Sequence, residues 1–171
     1  LLFFVLLAVM ILPVEAIVIP IFYQMKSYGL VDRRIGLVLV LVAIGAPLAV
    51  FLMRNSFRDL PDELREAAEI DGASAWLTFT SIIAPASRPA ILAVTVFAFL
   101  GAWNEYLLAL LLLFNNDTMT LPLGLTQFQG QYNSDYGALF AGITMAMVPS
   151  AVVYFVLQRS FTQGLLAGSA K

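Results

Sequence analysis

The chain has 171 residues, of which 61% are hydrophobic and 12% are charged, and its formal net charge is −2. Soluble domains carry about 25% charged residues, and a domain of this size still exposes roughly a third of its unfolded surface, so the composition predicts a membrane protein and excludes a disordered chain. The absence of Cys and His excludes disulfides, thiol nucleophiles, His bases and ordinary zinc sites, and the scattered Lys and Arg form no face for nucleic acid.

Four stretches are long and apolar enough to cross a bilayer. A hydrocarbon layer of about 30 Å needs roughly 20 helical residues, and backbone groups in lipid have to bond within their own helix. The predicted spans cover 1–23, 35–53, 89–114 and 136–158. Each proline inside them removes a backbone donor and is expected to bend its helix: Pro13, Pro20, Pro47 and Pro149. We therefore predict an all-α, polytopic membrane protein with one transmembrane domain over 1–171.

The chain opens on Leu1 within an apolar run that has neither an initiator Met nor a basic flank. A signal peptide needs a charged segment before its apolar run, so that interpretation is disfavoured. We expect a fragment whose upstream spans are missing.

The distribution of Lys and Arg predicts the orientation. The 54–88 loop holds four Arg, and the 159–171 tail adds Arg159 and Lys171. The opposite side holds three basic residues: Lys26, Arg33 and Arg34. Six against three places the loop and the tail in the cytoplasm.

The 54–88 loop is predicted to fold as helix, turn, helix. Pro61 suits the first position of the first helix, and Gly72 can end it in a left-handed conformation. Ser74 can cap a second short helix, which reaches Ile83 and stops at Pro85.

The first loop helix has a narrow face of mostly small residues: Leu64, Ala67, Ala68 and Asp71. A helix that lies on lipid would instead carry bulky apolar residues, with Lys or Arg on its polar side. The loop holds six acids against four Arg, and anionic lipid repels acids. A protein partner is therefore favoured, with the lipid surface as the alternative.

The loop resembles the EAA motif of binding-protein-dependent ABC importer permeases. Glu66-Ala67-Ala68 is followed at the family's spacing by Asp71-Gly72-Ala73, Phe79, Ile82, Pro85 and Pro89. Ala84 departs from the pattern, since the family usually has Leu there. The segment Gly101-Ala102-Trp103-Asn104-Glu105-Tyr106 is similar to the sugar, maltose-type branch, and so is the tail around Gln158, Arg159 and Gly164.

This resemblance implies a type I (MetI-like) permease fold with six spans, of which this chain would hold the last four. It implies a non-catalytic subunit that forms a path for a sugar and docks on a separate ATPase, the partner that binds ATP and magnesium. Other implied partners are a second permease subunit, giving a heterodimer, and an extracytoplasmic solute-binding protein at the bacterial inner membrane. The implied coupling residues are Glu66, Ala67, Ala68, Asp71, Gly72, Ala73 and Pro85. The sequence itself contains no phosphate-binding G-x-x-x-x-G-K-[ST] loop.

Glu105 lies within a predicted span, where a buried charge costs about 2.5 kcal/mol or more and has to face protein or water. Trp103, Asn104 and Glu105 are candidates for the translocation path, because Trp stacks on sugar rings and the polar groups bind hydroxyls. The alternative is packing against a neighbouring helix, and the same two possibilities hold for Glu15. The tail residues Gln158, Arg159 and Gly164 are candidates for contact with a cytoplasmic partner.

Two other functions are weaker. An ion-coupled carrier should bury paired charges near the midplane, whereas the informative residues lie in the loop. A membrane-embedded hydrolase needs a nucleophile with a base, and the spans hold only Glu15 and Glu105 as candidate bases.

Overall fold

The computed structural model describes residues 2–129 and 135–169, with side chains for 3–129 and 135–157. Every element of three or more residues within those ranges is helical, which confirms the all-α prediction. The α-helices are α1 (Leu2–Val9), α2 (Val14–Ser27), α3 (Arg34–Arg58), α4 (Glu63–Ile70), α5 (Ala75–Thr78), α6 (Ala84–Ala86), α7 (Arg88–Trp103), α8 (Leu107–Leu112), α9 (Leu121–Leu125) and α10 (Tyr136–Ser169). A π-helical segment, Phe79–Ile83, joins α5 to α6, and a 3₁₀ turn, Thr126–Phe128, follows α9.

Two helices in the described ranges are each long and apolar enough to cross a membrane: α3, with 25 residues, and the Tyr136–Leu157 part of α10. Two bent pairs raise the count to as many as four. The helix α1 meets α2 at 100°, and the helical segment Ala75–Ala86 meets α7 at 72°. The number of crossings stays a prediction.

The prolines divide into two groups. Pro13 lies between α1 and α2 at the 100° bend, where a residue without an N–H suits the start of α2. The other three lie inside continuous helices: Pro20 in α2, Pro47 in α3 and Pro149 in α10.

The helical run expected over 89–114 is divided into two helices. It ends at Trp103 and resumes at Leu107. The side chain of Glu105 fills the gap, because its Oε1 accepts a hydrogen bond from the backbone N–H of Leu108 at 2.7 Å. The carboxylate thus replaces the carbonyl that the broken helix no longer supplies to α8.

The core is built where α2, α3, α8 and α9 meet. Its buried residues form one cluster: Met25, Leu37, Val40, Leu108, Ala109, Leu112, Leu113 and Leu123. Gly36 allows this close approach, since a Cβ at that position would collide with the backbone oxygen of Leu30. The turn before α3 is therefore held directly against the start of that helix.

Asp32 joins this turn to the segment after α8. Its Oδ1 accepts the backbone N–H groups of Phe114 and Asn115, both at 2.9 Å, and the hydroxyl of Thr118 at 2.8 Å. Its own N–H donates to the carbonyl of Leu112 at 2.7 Å. We call these contacts the Asp32 clasp, and the donors hold the pKa of its carboxyl below the ordinary value of 3.8.

Arg34 strengthens the same junction. Its guanidinium donates to the backbone carbonyls of Asp117 and Thr118. A carboxylate that binds N–H groups and a guanidinium that binds carbonyls therefore satisfy both kinds of backbone group in the 113–118 segment.

The Asp32 clasp predicts a difference between two substitutions. Asp32→Ala removes three accepted hydrogen bonds and leaves at φ +59 a residue without the polar side chain that favours this conformation. Asp32→Asn keeps one oxygen acceptor and tolerates the left-handed conformation. We therefore expect the midpoint of thermal unfolding in detergent to fall further for Asp32→Ala than for Asp32→Asn. Equal midpoints for Ala and wild type would contradict the role of the clasp.

The same variants predict a pH dependence. A depressed carboxyl pKa stabilises the folded state above the unfolded pKa, and the benefit is lost as the pH falls through the lowered folded value. The difference in melting temperature between wild type and Asp32→Asn should therefore stay constant from about pH 5 to 8. It should shrink only below the ordinary value of 3.8. Melting curves across this range separate the contribution of the Asp32 charge from that of the acceptor oxygen, which Asn retains.

Candidate coupling loop and polar site within the helices

The helix α4 ends in a compact two-bond turn at Gly72. The N–H of Ala73 donates to the carbonyl of Ala68 at 2.9 Å, and that of Gly72 donates to Glu69 at 3.1 Å. Gly72 has φ +76, as its position in this Schellman arrangement requires. The predicted left-handed turn is confirmed, and it fixes the direction of the chain as it leaves α4.

The second loop helix begins as the sequence indicates and ends later. Ser74 caps α5, because its Oγ accepts from the N–H of Leu77 at 3.3 Å. The expected stop at Pro85 is wrong, since helical backbone continues to Ala86. The π-helical segment Phe79–Ile83 shifts the bonding pattern by one residue before the proline arrives, and such an altered turn accommodates a residue without an N–H.

The predicted coupling residues occupy α4 and the turn that follows it, except Pro85, which lies in α6. Ala68 is buried, whereas Glu66, Ala67 and Asp71 are exposed. Arg65 lies within 3.5 Å of Asp62 and 3.9 Å of Glu69, so the ion pairs of α4 form along its own surface. Within the described part of the chain, Glu66 has no ion pair, which leaves its carboxylate available to another molecule.

Exposed apolar side chains lie close to the Gly72 turn. Ile70 is 86% exposed, Trp76 74% and Leu77 52%. The loop is attached to the rest of the chain by a different aromatic pair, Phe57 of α3 and Phe79, whose rings pack edge to face at 6.2 Å. The loop therefore presents Glu66 and other exposed carboxylates, small residues and bulky apolar groups outward, while its other side is anchored by the Phe57–Phe79 contact.

The bend between the loop and α7 keeps its backbone hydrogen bonds. The N–H of Ser87 donates to Ile83, and the N–H of Ile91 donates to Ser87, both at 3.0 Å. The chain turns by 72° here, yet Ser87 is only 1% exposed. The loop and α7 are thus joined by a bonded, buried residue.

The sequence-predicted residues of the translocation path separate in the structure. The indole N–H of Trp103 donates to the carbonyl of Ala146 at 2.9 Å and so ties α7 to α10. Asn104 lines a cavity of about 580 Å³ between α7, α9 and α10, beside Ser150 and Tyr154. Glu105 lines a different cavity of about 630 Å³, between α3 and α7. The three neighbours therefore do not converge on one site.

The tail residues lie partly outside the described structure. The backbone of α10 continues to Ser169, so the segment after Arg159 extends the last helix. The side chains of Gln158, Arg159 and Gly164 lie outside the described residues, and their expected contact stays a prediction.

Sequence reasoning missed Asp32. The available signal was an Asp next to Arg33 and Arg34 in a short turn, because Asp tolerates the left-handed conformation and accepts backbone N–H groups. Its partners lie more than 80 positions away along the chain, and a local pattern cannot identify them.

Known proteins are similar to this chain over nearly its whole length. The family described as "Binding-protein-dependent transport system inner membrane component" matches residues 1–166. The chain belongs to this family. Membership confirms both the resemblance carried by the EAA-like loop and the polytopic permease fold.

Three relatives come from different bacteria. The diacetylchitobiose uptake system permease protein NgcG of Streptomyces coelicolor is 39% identical over 171 residues, 99% of this chain and 57% of that protein. The lactose transport system permease protein LacG of Rhizobium radiobacter is 35% identical over 98% of this chain and 60% of its own length. The arabinooligosaccharides transport system permease protein AraQ of Halalkalibacterium halodurans is 36% identical over 99% of this chain and 60% of its own length. The chain thus spans less than two thirds of these relatives.

The Gly72 turn predicts a matched pair of variants. A β-branched residue adopts φ +76 poorly, whereas Asn tolerates it, and a Cβ there would meet no atom within 4 Å. Gly72→Val should therefore loosen the loop and speed tryptic cleavage after Arg65, while Gly72→Asn should behave like wild type. Membrane levels of both variants should stay normal, because the substitution leaves the long helices untouched. Equal cleavage rates for Val and wild type would show that the turn does not hold α4 in place.

Proposed function

We propose that this chain is part of the permease subunit of an ATP-binding cassette importer that carries a sugar or related carbohydrate. The 54–88 loop would dock on a separate ATPase subunit and couple ATP hydrolysis to movement of the helices. The subunit itself would bind no nucleotide. ATP and magnesium would belong to the ATPase partner.

The observation that carries this proposal is the construction of the loop. Glu66 is exposed and without an ion pair among the described residues, and it lies one position before Ala67 on a helix whose end is fixed by the Gly72 turn. Small residues let a partner approach closely, and a charge-assisted bond from Glu66 gives direction to the contact. Ile70 and Trp76 add apolar area that a hydrophobic socket would cover. A loop that only connected two helices would need neither the unpaired carboxylate of Glu66 nor the exposed apolar side chains.

The substrate class rests on the relatives and on the polar groups between the helices. Proteins named for diacetylchitobiose, lactose and arabinooligosaccharides match along almost the whole chain. Asn104 and Glu105 border separate cavities, and both residue types bind hydroxyl groups. We propose that one of these cavities belongs to the solute path. The ion-coupled carrier has no comparable support.

The remaining partners and the orientation follow from the same assignment. The proposed complex contains a second permease subunit, giving a heterodimer, and an extracytoplasmic solute-binding protein. The excess of Lys and Arg on the loop and tail supports a cytoplasmic location for both at a bacterial inner membrane. The Asp32 clasp would then face the side from which the binding protein delivers its solute.

The test of docking compares two charge reversals on α4. A charge-assisted hydrogen bond that a basic residue of the ATPase donates to Glu66 would contribute about 1.5–3 kcal/mol, which corresponds to roughly tenfold to a hundredfold in complex population. Glu66→Lys should therefore release the ATPase in pull-downs at matched membrane levels and abolish uptake. Glu69→Lys should cost less, because Glu69 is engaged with Arg65 at 3.9 Å on the same helix.

A reciprocal change provides the control for this docking. Replacing the ATPase's basic residue that contacts position 66 with an acidic residue should restore part of the complex with Glu66→Lys. The attraction requires only that the two charges have opposite signs. Full retention of the ATPase by Glu66→Lys would refute the docking surface at its centre.

The tail offers an independent test. The segment from Gly164 onwards holds small residues that form no core alone, and we propose that it contacts a cytoplasmic partner. Deletion of residues 164–171 should weaken ATPase pull-down and uptake while membrane insertion stays normal. Unchanged binding and unchanged uptake would show that the tail is inert, which is the common behaviour of chain ends.

A further inference from the structure

The helix α2 has a polar side that the rest of the chain does not cover. Its inner side packs on the core through Ile21, Phe22 and Met25. Its opposite side is exposed at every turn, and we call the exposed residues of α2 the Glu15 face: Glu15, Ala16, Ile19, Pro20, Tyr23, Gln24, Lys26 and Ser27. Five of these eight side chains are polar or charged. A helix surrounded by lipid on that side would carry fewer polar groups.

Glu15 lies well below the polar end of α2. Lys26 is in the last turn of the helix and the charged 32–34 turn follows it, whereas Glu15 is in the first turn. At 1.5 Å per residue, the carboxylate lies about 16 Å from Lys26 along the helix axis. In a helix that crosses the bilayer with Lys26 at the interface, that position is close to the middle of a hydrocarbon layer of about 30 Å. Among the side chains that the structure describes, it has neither an ion pair nor a hydrogen bond. A lone carboxylate at that depth has to meet water or another polar group.

The backbone gives a second, independent indication. The chain leaves regular helix between Val9 and Val14, and α1 and α2 meet there at 100°. Ile11 is 82% exposed in this break. With only 14 residues, α2 reaches about 21 Å, so with Lys26 at the interface the break would lie inside a hydrocarbon layer of about 30 Å. Irregular backbone at membrane depth is tolerated where it lines water or is covered by protein.

We propose that the Glu15 face is a wall of the hydrated solute path and a contact site for a neutral or cationic polyhydroxylated solute. Glu15 accepts hydrogen bonds from hydroxyl groups, Gln24 donates and accepts them, and the ring of Tyr23 packs on the apolar face of a sugar ring. The carboxylate repels phosphorylated or acidic solutes at its own depth, because the one base in α2, Lys26, lies in the last turn, about 16 Å further along the helix. The inference rests on the proposed transport function and adds to it a site and a charge selectivity.

The absence of Cys from the chain makes the test direct. Ile19→Cys and Tyr23→Cys replace side chains that are 66% and 65% exposed on the Glu15 face. Val152→Cys is the control, since Val152 is 53% exposed on α10 and borders neither cavity. In the complete importer in membranes, the water-soluble, membrane-impermeant cation MTSET should modify the two face variants at least tenfold faster than the control. Rates equal to that of Val152→Cys, or no reaction because protein covers the face, would overturn the proposal.

The role of the carboxylate is tested with reagents of opposite charge. The ratio of the MTSET rate to the rate of the anionic reagent MTSES, measured on Ile19→Cys, should fall several-fold when Glu15→Gln is added. A conservative amide keeps the shape and the hydrogen bonding, so only the charge changes. An unchanged ratio would show that Glu15 does not face the path. ATPase pull-down with Glu66→Lys reports on the transport assignment separately, so failure of either idea is distinguishable from failure of the other.

Discussion

A backbone in hydrocarbon has to find all its hydrogen-bond partners within the protein, and this constraint governs the structure. Helices satisfy it internally, and charged side chains satisfy it where helices end. Glu105 caps the start of α8, Asp32 accepts the N–H groups after it, and Arg34 donates to carbonyls in the same segment. Charges are few in this chain, at 12% of residues, and several of them lie where the backbone would otherwise be unpaired.

The parts of the structure that could be predicted are those that depend on neighbours in sequence. The turn at Gly72 and the cap at Ser74 each involve bonds across three to five residues, so their residue types alone indicate them. The extension past Pro85 could not be predicted, because a local π-helical shift removed the usual conflict between proline and helix. The break after Trp103 was not predicted, although Asn104 and Glu105 interrupt the apolar run there, because the hydropathy of a whole span does not register where a helix stops.

The candidate site shows the same division. The exposure of Glu66 and Ala67 agrees with what the motif suggested, because α4 is a short surface helix with a simple periodicity. Trp103, Asn104 and Glu105 seemed to be one group in the sequence, yet they lie at a helix end, where consecutive side chains diverge. Trp103 binds α10, and the next two residues border separate cavities. The Asp32 clasp depends on contacts across more than 80 positions, which no single-sequence pattern contains.

The bend at Ser87 joins the loop to α7 as an elbow with two helical arms. One arm, Ala75–Ala86, is about 18 Å long, and the other, Arg88–Trp103, is about 24 Å long at 1.5 Å per residue. For a small rotation of a rigid elbow, a push of about 1 Å at Ala75 would become about 1.3 Å at Trp103, the ratio of the two arms. The hydrogen bond from Trp103 to Ala146 would carry that movement to α10. The proposed coupling would then have the mechanics of a lever with a gain slightly above one.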